Sequence, residues 1–292
     1  MNGTVLARMA ASLVALALLS CAPVGAQEKT VIENDIEYAN PDNQHMKLNM
    51  ARPAEGNGPF PTIVCIHGGG FRAGDRQGYN GAIKMLAEHG YVAVTVEYRL
   101  APKYPFPAAI HDVKASVRWL RANAAKYHIN PDRIGTMGGS AGGHLAHFLG
   151  VTGDIKEFEG DEGNLDHSSK VQCVVSYFGP TDFTKSYGKS VDAAEVLPLF
   201  LGGDLAHERR KHIVSSPLYW VTPHAAPTLC LHGTKDNYVA IEQAEWIVEK
   251  LKAAEVEAQL ISYEGAGHGF GGEVAKKADE AMIVFFDAHL KK

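Results

Sequence analysis

The segment RIGTMGGSAGG at positions 133–143 joins a short apolar run, RIGTMGG, to a stretch that turns helical near Ala141. Within it, Gly138-Gly139-Ser140-Ala141-Gly142 is a Gly-x-Ser-x-Gly sequence set between a strand pattern and a helix pattern. In such a turn the serine takes strained backbone angles, and the flanking positions must be glycine because a side chain there would clash. The turn also sets the Ser140 hydroxyl at a helix N-terminus, where the macrodipole favours developing negative charge. Ser140 is the candidate nucleophile.

Outward from this turn, strand patterns alternate with helix patterns. TIVCIH (62–67) is apolar throughout, as expected of a central parallel strand covered on both faces. A helix over about 79–89 and the strand YVAVTVEY come next, then a long amphipathic helix over about 108–127 with Ile110, Val113, Val117, Leu120 and Ala124 on its apolar face. After the 133–143 turn come VQCVVSYF, APTLCLHG, a helix over about 241–252, the strand AQLISY and a last helix over about 273–290. Ahead of them, ENDIEYA and MKLNMAR read as two strands around a Pro-Asp-Asn turn. This order implies an α/β fold, a mostly parallel sheet flanked by helices. Residues 181–223 break the rhythm with Gly, Pro and charges, and are expected to form a small helical insertion over the carboxyl edge of the sheet, where ligands bind in open α/β folds. Residues 27–292 are read as one domain carrying that insertion.

The 292 residues, 46% hydrophobic and 21% charged, are ample for such a core and exclude wholesale disorder. The net charge of −5 excludes a surface that tracks phosphates, so no nucleic-acid partner is expected. Residues 1–26 read as an export signal: Arg8 is their only charged side chain, and an apolar run over 9–20 is followed by small residues. Removing Arg8 takes the net charge from −5 to −6, against a polybasic membrane surface. Two processing sites compete, Val24-Gly25-Ala26 before Gln27 and the lipobox-like Leu18-Leu19-Ser20-Cys21, which would leave a lipid anchor at Cys21. Export, periplasmic or secreted, is expected either way, with the lipid as the one membrane contact. Cys65, Cys173 and Cys230 each sit in an apolar strand pattern and read as core fillers. No Cys/His cluster suggests a metal, and no cofactor is called for.

A second glycine cluster, His67-Gly68-Gly69-Gly70-Phe71, ends the strand TIVCIH. Three consecutive glycines leave backbone N–H groups free to face a cavity, as an oxyanion hole requires. His67 is read as a structural residue that bonds the loop backbone. A serine nucleophile needs a base, and the base an orienting carboxylate, in the chain order Ser, Asp, His. His268 in GAGHGF lies after a strand with glycines on both sides, and is chosen over His144, His147 and His289, which fall in helix patterns. Asp236 in GTKDNYV is the preferred acid, with Asp182 in GPTDF the serious rival and Asp204 in GGDL a lesser one.

These residues carry a family resemblance. HGGGF (67–71), EYRLAPKYPFPAAIHD (97–112), GGSAGG (138–143), HGTKDNYV (232–239) and GAGHGF (265–270) resemble the hormone-sensitive-lipase-like branch of the α/β-hydrolase superfamily, over about 45–290. Gly139 stands where many members carry an acidic residue before the serine. Together with HGGGFRAGDR, this looks more like exported carbohydrate esterases of the acetylxylan and feruloyl type. The resemblance implies an eight-stranded α/β-hydrolase fold, a triad of Ser140, Asp236 and His268, and oxyanion donors at Gly69, Gly70 and Ala141. It implies a serine carboxylic-ester hydrolase that releases short acyl groups, acetyl or feruloyl, from carbohydrate or small-alcohol esters. An arylformamidase-like amidase, a generic carboxylesterase and a catalytically inactive binding protein are the competing readings, the last disfavoured because all three triad positions are intact. Peptidases of this superfamily carry an extra N-terminal propeller or cap, for which the stretch before the first core strands is expected to be too short. Acyl length is expected to depend on residues 181–223 and on the 98–107 loop, with Phe71, Tyr98, Tyr104 and Phe106 either lining a pocket or packing the core.

Overall fold

The computed structural model describes residues 29–153 and 155–291, so both processing sites and Cys21 lie outside the described residues. Eight strands form one sheet in the order β1-β2-β4-β3-β5-β6-β7-β8. β1 (Thr30–Ala39) and β2 (Met46–Pro53) make an antiparallel hairpin around the turn Pro41–Asn43, and β2 runs antiparallel to β4 (Val92–Val96). From β4 onward every pairing is parallel, through β3 (Phe60–Ile66), β5 (Ile129–Gly139), β6 (Cys173–Tyr177), β7 (Thr228–Gly233) and β8 (Ala258–Tyr263). The central strands are buried on both faces, which is why they read as unbroken apolar runs rather than as alternation. Cys65, Cys173 and Cys230 are buried free thiols in β3, β6 and β7, as their strand patterns predict.

Two apolar layers cover the sheet. α2 (Ala108–Ala122) and α4 (Ala141–Val151) pack on one face around Val64, Val94, Val117 and Phe148. α1 (Asn80–Glu88) and α8 (Gly272–Leu290) pack on the other around Ile63, Ala93, Cys173 and Phe286. The helix expected over 108–127 is broken at Asn123, whose φ of −104° and ψ of 14° separate α2 from the short α3 (Ala124–Tyr127). β5 starts four residues before the apolar run, because Ile129 already pairs with Phe60. Residues 181–223 contain α5 (Ala193–Leu201), α6 (Arg209–Val214) and two 3-10 turns. α7 (Glu242–Ala253) anchors the start of this stretch: Gln243 Oε1 accepts from the N–H groups of Thr181 and Asp182, and its Nε2 donates to the Asp182 carbonyl. Among the described residues no helix is long and apolar enough to cross a membrane.

Register places the functional loops side by side. Ile66 pairs with Gly138, Gly138 with Ser176 and Ser176 with Cys230, so the strands β3, β5, β6 and β7 end along one edge. The contact between α4 and β3 there leaves no room for a side chain: a Cβ on Gly142 would lie 2.0 Å from the Ile66 carbonyl oxygen. Gly142→Ala is expected to lower stability by on the order of 3 kcal/mol. Gly271→Ala, where an added Cβ meets nothing within 4 Å, should melt close to wild type. Thermal unfolding of the two variants side by side checks this.

Candidate active site

Ser140 sits between β5 and α4 with φ 55° and ψ −122°, a strained conformation for a residue with a side chain. It is held there by both neighbours, its N–H donating to the Tyr177 carbonyl (2.9 Å) and its carbonyl accepting from His144 N–H (3.0 Å) as the first bond of α4. The hydroxyl projects toward the loop after β8. There His268 Nε2 lies 2.9 Å from Ser140 Oγ, and His268 Nδ1 lies 2.8 Å from Asp236 Oδ2. An ionised carboxylate can only accept, so Nδ1 carries the imidazole proton and Nε2 is left to accept from the serine hydroxyl.

The acid loop after β7 is equally determined. The Asp236 side chain is fully buried, and its Oδ1 accepts from the N–H groups of Tyr238 and Val239, each at 2.9 Å. Burial alone would push its pKa up. The hydrogen bonds from His232 and His268 and the Val239 N–H overcome this and hold the carboxyl well below the ordinary range. The acid and base loops are stitched together. Lys235 N–H donates to the Ala266 carbonyl (2.9 Å), Gly265 N–H donates to Thr234 Oγ1 (2.8 Å), and Thr234 N–H reaches the Tyr263 carbonyl (3.1 Å).

The sequence reading missed His232. It is fully buried on β7, with Nε2 2.8 Å from the Val239 carbonyl and 3.5 Å from Asp236 Oδ2. A nitrogen facing a carbonyl oxygen at 2.8 Å carries the proton, so this N–H braces the acid loop from beneath. The four-residue spacing in HGTKD was the available signal, since it sets a strand-end histidine under the turn that presents the aspartate.

Gly69 and Gly70 follow β3 after His67 and Gly68, with φ of +111° and +58°. A Cβ on Gly69 would lie 2.2 Å from the Ala73 carbonyl oxygen, so the turn closes only on glycine. The Gly69 carbonyl accepts from Arg72 and Ala73, whereas among the described residues the N–H groups of Gly69 and Gly70 have no protein acceptor. Ala141, the first residue of α4, adds the orphan N–H of a helix start. His67 is structural as expected: its Nδ1–H donates to the Gly68 carbonyl (2.8 Å), and its ring stacks on Tyr98 at 4.3 Å. Tyr98 in turn donates to the His67 carbonyl (3.0 Å).

The other candidates lie elsewhere. Asp182 is buried, but it caps the turn Phe183–Lys185: Oδ1 accepts from Thr184 N–H and Oγ1, and Oδ2 faces Tyr219 OH and Lys185 Nζ. Asp204 is exposed and bonded to His207 Nδ1 (2.7 Å). His289, near the end of α8, bonds the Phe285 carbonyl, and its Nε2 lies 3.4 Å from the carboxylate of Glu257, the residue before β8. Among the described residues no group of three or more His, Cys, Asp or Glu side chains could hold a metal ion.

Ser140, His268 and the Gly68–Gly70 loop open into one cavity of about 530 Å³. α5 supplies one wall through Ala193, Val196 and Leu197, and Phe71, Tyr79, Phe178, Phe183 and Tyr238 supply much of the rest. The 98–107 loop, expected to share in this wall, lines none of it. Phe106 packs in the core against Phe148, Phe158 and Phe200, and Tyr104 lies beside Arg99 and Lys103. Of the four aromatic residues weighed from sequence, Phe71 alone lines the cavity, while also stacking on Phe200 at 3.9 Å.

With this geometry in hand, similarity to known proteins decides the family. The BD-FAE family model matches residues 48–251. The chain belongs to the BD-FAE family. Among individual relatives of this BD-FAE member, esterase LipC of Mycobacterium tuberculosis is 33% identical over 221 residues, 73% of this chain and 53% of LipC. The LipM protein of the same organism, named a probable carboxylic ester hydrolase, is 29% identical over 239 residues, 79% of this chain and 54% of LipM. The chain thus spans about half the length of the curated relatives it matches. A truncated form of a carbohydrate esterase from gut microbiota superposes with a TM-score of 0.81 at 28% identity, over 91% of this chain and 99% of that one. The propionate-bound Est2 esterase of Thermogutta terrifontis gives 0.74 at 28% identity, over 88% and 93%. The fold is that of the α/β-hydrolases, and these relatives fit the hormone-sensitive-lipase-like branch.

The helix that follows Ser140 carries two buried imidazoles. Burial pushes the pKa of His144 and of His147 down to about 3, so both stay neutral in the folded protein. In the unfolded chain each takes a proton below about pH 6.5. Stability therefore falls as pH drops from about 6.5 toward 3, each site adding up to about 1.4 kcal/mol per pH unit. The Tm is expected to decline between about pH 7 and pH 5, and His147→Gln should make that decline shallower; melts across the pH series test it.

Proposed function

We propose that the chain is a serine carboxylic-ester hydrolase that removes short acyl groups, acetyl or feruloyl, from carbohydrate or small-alcohol esters. The observation that carries the reading is the unbroken chain Ser140 Oγ–His268–Asp236, at 2.9 and 2.8 Å, set in the same cavity as Gly69 and Gly70, whose N–H groups have no acceptor among the described residues. That combination suits acyl transfer: a nucleophile, a base with its orienter, and donors aimed where an oxyanion would form. The esterase names of the relatives support the reaction class, and the carbohydrate esterase among the structural neighbours supports the alcohol. The cavity exceeds what an acetyl group needs, which leaves room for a larger acyl or alcohol part.

In this reading His268 Nε2 takes the Ser140 proton as Oγ attacks the ester carbonyl. The N–H groups of Gly69, Gly70 and Ala141 hold the oxyanion, and Asp236 stabilises the imidazolium. The proton on Nε2 then passes to the departing alcohol oxygen. Water deacylates the serine by the same route, releasing the acid. Export, and with it an extracellular or periplasmic ester, rests on the reading of residues 1–26.

Ser140→Ala should lose on the order of 10⁴–10⁶ in kcat on a short acetate ester, with an unchanged melting temperature. Asp236→Asn should cost about 10⁴. Asp182→Asn keeps an Oδ1 that can cap Thr184 but loses the carboxylate oxygen facing Tyr219 and Lys185, and should lower the Tm modestly while keeping kcat near wild type. A severe kcat loss in Asp182→Asn with a mild one in Asp236→Asn would reverse the assignment of the acid.

A further inference from the structure

The direction of proton transfer gives the cavity two sides. The carbonyl oxygen must face Gly69, Gly70 and Ala141, and the leaving alcohol must lie within reach of His268 Nε2, which protonates it. Val196 backs the oxyanion loop, standing 3.4 Å from where a Cβ on Gly70 would be. The leaving alcohol therefore passes the other way, along the imidazole.

Two aromatic rings flank that imidazole. Phe178 lies 4.6 Å away, half-buried and locked against Phe270. Tyr238 lies 5.3 Å away at 37°, and it is 46% exposed, one of the large hydrophobic side chains the surface leaves uncovered. Its position is fixed from below, since its own N–H donates to Asp236 Oδ1 and the next residue's N–H does the same. A second tie comes from the insertion, where Val191 N–H donates to the Asn237 carbonyl (3.0 Å). A ring on a backbone tied at two points, open to solvent and lining the cavity beside the imidazole, offers a stacking face.

The polar groups around this face select among alcohols. Ser190 and Asp192 line the same cavity. Among the described residues, the Ser190 hydroxyl and the Asp192 carboxylate have no hydrogen-bond partner in the protein. A flat hydrocarbon alcohol would cover Tyr238 and leave these groups to water. A pyranose has both requirements in one molecule, an apolar face of C–H bonds and a rim of hydroxyls.

We propose that Tyr238 is the platform on which the pyranose ring of the leaving alcohol stacks. This rests on the ester-hydrolase reading above and names its alcohol subsite.

The test holds the acyl group constant and varies the alcohol, comparing ethyl acetate with methyl 2-O-acetyl-β-xylopyranoside, which keeps two free hydroxyls, in wild type, Tyr238→Ala, Tyr238→Phe and Tyr238→Trp. In Tyr238→Ala the ratio of kcat/KM for the xyloside over ethyl acetate should fall about tenfold, chiefly through KM, while the Phe and Trp variants keep that ratio within about twofold. A ratio that does not move in Tyr238→Ala overturns the platform. So does an equal loss on both substrates through kcat, which would make Tyr238 a support for the Asp236 loop. Wild type that cleaves ethyl acetate but not the xyloside overturns the platform and the carbohydrate reading while leaving ester hydrolysis standing. If wild type cleaves neither, the hydrolase reading fails and the platform with it.

Discussion

The contact between the start of α4 and the end of β3 is the constraint on which the site depends. Gly142 presses its backbone against the Ile66 carbonyl, and Gly68 passes so close to Gly139 that a Cβ would lie 2.8 Å from the Gly139 oxygen. Both approaches bring the oxyanion loop, the direct continuation of β3, to the side of Ser140. Ser140 keeps its positive φ because the strand before it and the helix after it are each anchored in the core. A serine in this conformation costs on the order of 1–3 kcal/mol, which two well-packed elements can over-determine. The geometry of the candidate site is a by-product of strand register and of glycines that permit contact.

A second layer of constraint is ionic. The ends of the 97–112 motif meet each other: Arg99 donates through its N–H and Nε to Asp112, and its guanidinium also reaches Glu162 and Asp42. Two turns of α2 add Lys114, bonded to the Thr152 carbonyl, Glu159 and Ser169, and Arg118, bonded to Glu159. Lys114 and Arg118 are almost fully buried beneath residues 155–170. Removing one partner of such a network leaves an unpaired buried charge, a far greater loss than the net worth of the pair. The network holds the loops behind α2 in place and leaves the cavity to the insertion.

This is also where the sequence ceased to be legible. The apolar stripe of α2, Ile110, Val113, Val117 and Leu120, is buried as its period implies. The same period says nothing about Lys114 and Arg118, because a helix pattern cannot reveal that a distant loop covers its polar side. Ser140, His268, Asp236 and the Gly69–Gly70 turn could be read because each is punctuated by residues only a special backbone tolerates, or is placed at a strand end. Tyr238, Phe178 and Val196 carry no such mark. They become neighbours of the imidazole and the oxyanion loop only through packing between segments far apart in the chain.

The insertion shows how that packing reaches the chemistry. Its first residues are fixed to α7 by Gln243, its helix α5 backs the oxyanion loop at Val196, and its Val191 N–H is bonded to the loop that presents Asp236. One excursion of the chain therefore touches the donor loop at one end of the cavity and the acid loop at the other. Substitutions that reshape the insertion act on the position of Asp236 as well as on cavity volume. The size of the cavity and the alignment of His268 with Asp236 are set by the same stretch of backbone, so on the proposed reaction substrate preference and turnover are not independent variables.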